Sequence, residues 1–217
     1  MSPALTLDAL IREAAAFSEA ESRHDEPLLY GVTDGKAIGT YLEHKFVAYL
    51  KMKYFFSEGS SALGIDLPAL EVDIKVTSIR QPQSSCPYRS SRQKIYGLGY
   101  SLLIFVYEKT DEAAAATGRL NLQHTIFVDR SRTADYQMTR NIRQIIQDDG
   151  NVDDLVAFML DKNLPVDEVE AQTIAEELLS NPPEQGYLTI SNALQWRLQY
   201  RRVIAEAGAI NGITKVR

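Results

Sequence analysis

The stretch Gly64-Ile-Asp-Leu-Pro-Ala-Leu-Glu-Val-Asp-Ile-Lys-Val-Thr-Ser78 decides the fold. Within it Val72, Ile74 and Val76 alternate with Glu71, Asp73, Lys75 and Thr77. A strand with one apolar and one polar face has this period of two. The alternation predicts a strand over Glu71 to Ser78. Asp73 and Lys75 then project from one face, two positions apart. Asp66 stands upstream of the strand, where a hairpin or bend would return it to Asp73. Glu71 shares the polar face and competes with Asp73 as the second acidic group. Asp73 is favoured because it stands two residues before the lysine.

Working outward, the chain alternates helices and strands. Leu5 to Ala20 is rich in Ala, Leu and Glu and has helical period. Asp25 to Gly35 is polar, carries Pro and Gly, and reads as a loop. A second helix is predicted over Lys36 to Phe56, with Ile38, Tyr41, Leu42, Phe46, Leu50 and Tyr54 forming one apolar stripe. A Gly/Ser-rich break follows at Glu58 to Ser61. Beyond the quoted stretch, Arg80 to Ser85 reads as a polar loop. Pro87 to Gly97 reads as a short helix, with Pro near its start and Gly at its end. Tyr100 to Glu108 is a continuous apolar run, as in a central strand buried on both faces. An Ala-rich connection, Lys109 to Arg119, leads to a strand over His124 to Arg130 and a helix over Ala134 to Asp148.

The composition changes after Gly150. Val152 to Leu164 and Val166 to Ser180 are predicted as acidic amphipathic helices. A turn over Asn181 to Gly186 and a further helix over Thr189 to Ala207 follow. Leu194, Leu198 and Ile204 mark the buried side of that last helix, joined by Trp196. No segment here reads as a strand, so residues 151–217 are expected to form an all-helical subdomain, helix-turn-helix-like in outline. The class is α/β.

Composition narrows the function. The chain has 217 residues, 45% of them hydrophobic, which suits one domain with a sizeable core and excludes wholesale disorder. A single cysteine makes no internal disulfide, and the three histidines lack zinc-site spacing. No apolar run reaches the roughly 18 residues a membrane span requires. The N-terminus carries no secretory signal pattern. A cytoplasmic, reducing compartment is expected. The formal net charge of −6 argues at first against a polyanionic partner.

The polar strand face offers a specific chemistry. Two carboxylates close together repel each other unless a divalent cation lies between them. A hard cation such as Mg²⁺ takes oxygen ligands and keeps waters. An adjacent lysine orients a nucleophilic water and offsets charge on a pentacovalent phosphate. Asp, Asp and Lys in this arrangement suit metal-assisted hydrolysis of a phosphodiester.

Asp66 followed by Asp73-Ile-Lys75 resembles the signature of the PD-(D/E)xK nuclease superfamily, and the flanking text resembles its type II restriction endonucleases. The order of elements from Lys36 to Arg130 agrees. The proline that usually precedes the first acid is absent: Ile65 stands there, and Pro68 is the nearest. The resemblance implies a restriction-endonuclease-like core over residues 1–150, a mixed central sheet flanked by helices. It implies a Mg²⁺-dependent endonuclease, with Mn²⁺ as a substitute, cutting double-stranded DNA at a specific sequence. Asp66, Asp73 and Glu43, an acid on the preceding helix, would bind metal, with Glu71 as the alternative ligand. Lys75 would position water. A homodimer and a companion DNA methyltransferase acting on the same site are implied as well. A repair or recombination nuclease of the same fold stays open, as does a non-catalytic DNA-binding protein.

Candidate DNA contacts follow from local charge. From Val76 to Lys94 the chain carries Arg80, Arg89, Arg92 and Lys94 and no acid. Gln81, Gln83, Ser84, Ser85 and Gln93 are interleaved with them. Such side chains contact phosphates and read base edges. The last predicted helix carries Gln195, Arg197, Gln199, Tyr200, Arg201 and Arg202. Arg197 and Arg201 are its candidate contacts, with packing or dimerisation the open alternative. The acidic excess lies in the flanking helices, so net charge does not exclude DNA.

Overall fold

The computed structural model describes residues 2–59, 64–87, 89–191 and 196–217. Ser60 and Ser61 of the predicted break, and Leu194 and Gln195 of the predicted last helix, lie outside the described residues.

Helix α1 (Leu7–Glu21) starts where the Thr6 hydroxyl accepts from the Ala9 N–H. A two-residue strand, β1 (Asp25–Glu26), and a 3₁₀ turn cross the predicted loop before helix α2 (Gly35–Lys51). Asp34 caps α2 by accepting from the Lys36 N–H. Strand β2 (Val72–Ser78) carries the quoted motif, and β3 (Gln83–Cys86) follows it closely. A short helix, α3 (Arg92–Tyr96), leads to the long hairpin β4 (Ser101–Glu112) and β5 (Thr117–Val128). Helices α4 (Tyr136–Gln147), α5 (Val152–Asp161) and α6 (Glu168–Ser180) come next. The chain ends with β6 (Thr189–Ile190), β7 (Trp196–Gln199), α7 (Arg201–Glu206) and β8 (Ile213–Lys215).

The main sheet is mixed. Its order is β1-β5-β4-β2, with β2 parallel to β4, β4 antiparallel to β5, and β8 added to β5. Strand β4 explains its own composition. Leu103, Phe105 and Tyr107 point to a core shared with α1 and α2, while Leu102, Ile104 and Val106 point to a second core on the opposite face. A strand with apolar groups on both sides is stable only when both faces are covered. Phe17, Phe46 and Phe105 meet at the centre of the first core, with ring centroids 5.0 Å apart for Phe17–Phe46 and for Phe46–Phe105. A third cluster lies among α3 to α6, around Ile95, Ile142, Leu155 and Ile174.

The tail corrects the expectation of an all-helical subdomain. Residues 152–180 are mainly helical, but the predicted helix over Thr189 to Ala207 is β6, β7 and α7, with residues 192–195 outside the description. Strands β6 and β7 join β3 in a second sheet, ordered β3-β7-β6. The cause is the alternation in Trp196-Arg-Leu-Gln-Tyr200, where Trp196, Leu198 and Tyr200 are buried and Arg197 and Gln199 are exposed. These three apolar groups close the second core over Ile104 and Ile126. The helix-turn-helix outline fails for the same reason.

Helix α2 and the residues just after it are clasped to α1 by two similar, partly buried clusters. Lys53 and Tyr49 both donate to Glu13 Oε2, at 2.7 and 2.8 Å, and Tyr54 donates to Oε1 at 2.8 Å. Lys45 donates to Glu21 at 3.0 Å and to the Tyr41 hydroxyl at 2.6 Å. The Lys53 hydrogen bond outweighs burial and, with the two tyrosines, holds the Glu13 carboxyl down at about 2. In the unfolded chain that carboxyl titrates near the ordinary value of 4.5. Its stabilisation is therefore complete above that value and is lost as pH falls through the folded pKa. Glu13→Gln should lower the urea midpoint at neutral pH, and the gap to the parent protein should shrink as pH falls from 4.5 toward 2.

Candidate active site

Strand β2 is the outer strand of the main sheet, bonded to β4 on one side only. Its other edge borders a cleft of about 670 Å³. Helix α2 contributes Lys36, Gly39 and Glu43 to the lining, β2 contributes Lys75, β3 contributes Gln83 and Ser85, and β7 contributes Arg197.

The segment before β2 folds back onto this edge. Leu67 and Val72 exchange hydrogen bonds of 3.0 and 3.2 Å around a 3₁₀ turn, Pro68–Leu70, with Pro68 at the turn's start. Asp66 is thereby returned to the strand, and its Oδ2 accepts from the Ile74 N–H at 2.7 Å. The Asp66 carboxyl is brought close enough to Asp73 to raise its pKa. On the other side of Asp73, Lys75 Nζ lies 2.7 Å from Asp73 Oδ2. Asp66, Asp73 and Lys75, expected from their spacing and from the nuclease resemblance, form one contiguous group.

The electrostatics are those of two neighbouring acids beside one lysine. Asp73 is only 3% exposed. Burial is the largest influence and raises its pKa; the Lys75 ammonium opposes this, and the Asp66 carboxyl adds to it. Burial alone would lower Lys75, but the charge and hydrogen bond of Asp73 hold its ammonium above the ordinary value. Glu43 is raised by burial and by the charge of Asp66, with Lys75 opposing. Two carboxyls this close disfavour each other's charge, and a divalent cation between them would relieve that. Among the described residues no three His, Cys, Asp or Glu groups converge on one point. Glu43 senses Asp66 by charge across the cleft without completing a three-carboxylate cage.

Glu71 is corrected as an alternative ligand. It precedes β2, ends the 3₁₀ turn in the left-handed region at φ 52°, and pairs with Arg130 at 2.9 Å on an exposed surface. The predicted strand began one residue too early. The basic stretch divides in the same way. Gln83, Ser84, Ser85 and Arg197 line the cleft. Arg80 lines a neighbouring depression with Lys109 and Asp111. Gln81, Arg89 and Arg201 are exposed outside the cleft lining. Arg92, Gln93 and Lys94 are not brought to it. Arg92 is bound by Glu170 and Glu177 of α6, Gln93 donates to the Leu98 carbonyl, and Lys94 is buried. Their charge and polarity serve the packing of α3. Cys86 lies beneath the site, its thiol pushed up by burial, which does not suit a nucleophile.

One contributor escaped the sequence reading. Thr77, buried on β2 two residues past Lys75, accepts from the Gln83 N–H at 2.9 Å. Its hydroxyl reaches the Gln83 carbonyl at 3.0 Å. That one hydroxyl ties β3 to the motif strand. Its place on the polar face beside Asp73 and Lys75 was the available signal.

A family model described as type II restriction enzyme NspV matches residues 4–215. The chain belongs to the NspV family of type II restriction enzymes. Type II restriction enzyme NspV from a Nostoc species is 66% identical over 212 residues, covering 98% of this chain and 96% of that protein. No solved structure matches. For this member of the NspV family, Glu71→Gln should leave the DNA cleavage rate within about twofold. An exposed ion pair contributes about 0–1 kcal/mol and stands outside the cleft.

Proposed function

We propose that this chain is a type II site-specific deoxyribonuclease of the PD-(D/E)xK kind, with a restriction-endonuclease-like fold, hydrolysing double-stranded DNA with Mg²⁺ as its metal and Mn²⁺ as a substitute. The observation that carries this reading is the contiguous Asp66, Asp73 and Lys75 group at the open edge of β2, with Lys75 lining the cleft. Family membership supports the activity independently.

In this reading Asp66 and Asp73 hold the metal, and Glu43 assists from α2. The bound cation supplies Lewis acidity toward the phosphate and lowers the pKa of water. The residues of the chain do the rest. Lys75, held charged by Asp73, donates to the attacking water and orients its lone pair toward phosphorus. A new bond forms between that oxygen and phosphorus and the opposite phosphorus–oxygen bond breaks; the water gives up a proton to solvent, and the departing oxygen takes one from solvent. The Lys75 ammonium also offsets charge building on the phosphate oxygens. Gln83, Ser84, Ser85 and Arg197 hold the duplex beside this centre, with Arg80, Gln81, Arg89 and Arg201 as outlying candidates.

Among the described residues the chain carries one such group, while a duplex has two antiparallel strands. A homodimer that places a second copy of the group on the other strand follows. A companion DNA methyltransferase that masks the same sequence would protect the DNA of a cell making such an enzyme.

Asp73→Asn and Lys75→Ala should each lower Mg²⁺-dependent plasmid cleavage by at least about 10²-fold, the scale on which a single group stabilising the transition state acts. Both should still shift a cognate duplex in a gel with Ca²⁺ present. Cleavage by the parent protein should stop on chelation and return with Mg²⁺ or Mn²⁺. A parent protein that cuts no DNA with either ion would overturn the reading.

A further inference from the structure

Strands β3 and β7 form an antiparallel ribbon with Gln83 opposite Gln199, Ser84 opposite Leu198, Ser85 opposite Arg197, and Cys86 opposite Trp196. Pairs alternate between faces along such a ladder. Cys86, Trp196 and Leu198 face the second core, and the Ser84 hydroxyl bonds to the buried Tyr200 hydroxyl. Gln83, Ser85, Arg197 and Gln199 therefore share the opposite face, a surface of two carboxamides, a hydroxyl and a guanidinium with no acid on either strand. Three of the four line the cleft that contains Lys75 and Glu43.

Resting on the nuclease reading above, we propose that this ribbon face is the base-reading element of the enzyme, inserted into the major groove, and that Gln83, Arg197 and Gln199 determine its specificity. The major groove is about 12 Å wide and admits a two-stranded β-ribbon. Carboxamides offer the donor and acceptor that adenine presents there, and a guanidinium offers the two donors that guanine accepts. Dimensions agree as well. Residues two apart on one strand are separated by about 6.8 Å, and two stacked base pairs rise by about the same distance. The two outward pairs, Gln83 with Gln199 and Ser85 with Arg197, thus face base pairs two steps apart in one half-site.

The ribbon is also fixed to the hydrolytic centre. Thr77 is a positioning residue: its hydroxyl holds the Gln83 backbone and stands two residues from Lys75 on one strand. The bases that are read therefore lie within a few steps of the bond that is cut. A surface that only held phosphates would need positive charge without the paired carboxamides. Here the single cation is flanked by groups suited to base edges.

The test uses the full chain with Mg²⁺. End-mapping of a digested genome gives the cognate site, and duplexes carrying each single base-pair change give kcat/KM at every position. Gln83→Ala, Gln199→Ala and Arg197→Ala should each lose discrimination at one position, by about 5- to 150-fold, with Arg197 acting at a G·C pair and the glutamines at A·T pairs. Arg197→Lys keeps the charge and the fold but not the bidentate fork, and should lose the same discrimination. Thr77→Val should lower kcat on the cognate site more than it changes KM, because the ribbon would no longer be in register with Lys75. The inference is overturned if the variants lower cleavage uniformly across all duplexes, or if Arg197→Lys restores the parent's discrimination, since either marks a phosphate contact. A parent protein that cuts specifically, loses cutting with Lys75→Ala, and keeps full discrimination in all three alanine variants overturns the ribbon's role and leaves the nuclease reading standing.

Discussion

An unpaired backbone N–H on the open edge of a sheet must find an acceptor, and at Ile74 it finds the carboxylate of Asp66. Much of the site depends on that bond. If another strand paired with this edge of β2, the N–H would be satisfied and the cleft would be closed. If the edge were left to water, Asp66 would have no reason to approach Asp73. The fold-back through Pro68–Leu70 meets both demands: it covers part of the edge with a side chain in place of a strand, and it brings a second carboxyl to the first. Asp73 is then buried beside a like group and kept soluble in the protein mainly by Lys75 at 2.7 Å. Such an arrangement gives little stability for its burial, as paired charges in a low-dielectric setting generally do. In the proposed reading its value lies in the charge it would offer a cation.

The features that made the site legible in the sequence were those with long, uninterrupted period. Val72, Ile74 and Val76 alternate over a full strand, and the run from Leu102 to Tyr107 needs two covered faces, so β2 and β4 were predictable in type and in order. What failed was short or depended on a distant partner. Strand β7 has four residues, and over that length Trp196, Leu198 and Tyr200 satisfy a strand while Leu194, Leu198 and Ile204 suggest a helix. The second sheet, which supplies the third partner, decides between them. Glu71 extends the alternation by one residue, yet its backbone turns left-handed because the fold-back must close there. Arg92 and Lys94 carried the right charge for DNA, but the acids of α6 and the burial of α3 claim them. Spacing was enough for Asp66, Asp73 and Lys75, because their meeting is local. It was not enough for Arg197, which reaches the cleft only after the chain has travelled through four further helices.

Net charge is a poor guide here for a structural reason. The acids counted in the total of −6 are partly spent inside the protein. Glu170 and Glu177 fix Arg92, Glu13 and Glu21 clasp the two N-terminal helices, and Glu71 neutralises Arg130. The lining of the cleft keeps Lys36, Lys75 and Arg197 as its cations. Screening in salt confines each surface charge to a range of about 8–10 Å, so a duplex in the cleft would feel these groups more than the acidic helices beyond them.

The two sheets divide the work in a way that follows from their edges. The main sheet is held by hydrophobic burial on both faces and offers chemistry only at β2, where its ladder stops. The second sheet uses one face to close the core and leaves the other polar. A hydroxyl two residues past Lys75 joins the two. Because Thr77 is buried and bonded to the backbone of Gln83, the ribbon cannot slide by one residue without losing those bonds and turning Trp196 and Leu198 outward. The register of the ribbon is therefore set by the same hydrophobic core that holds the motif strand, and any groups displayed on its outer face are held at a fixed offset from Lys75.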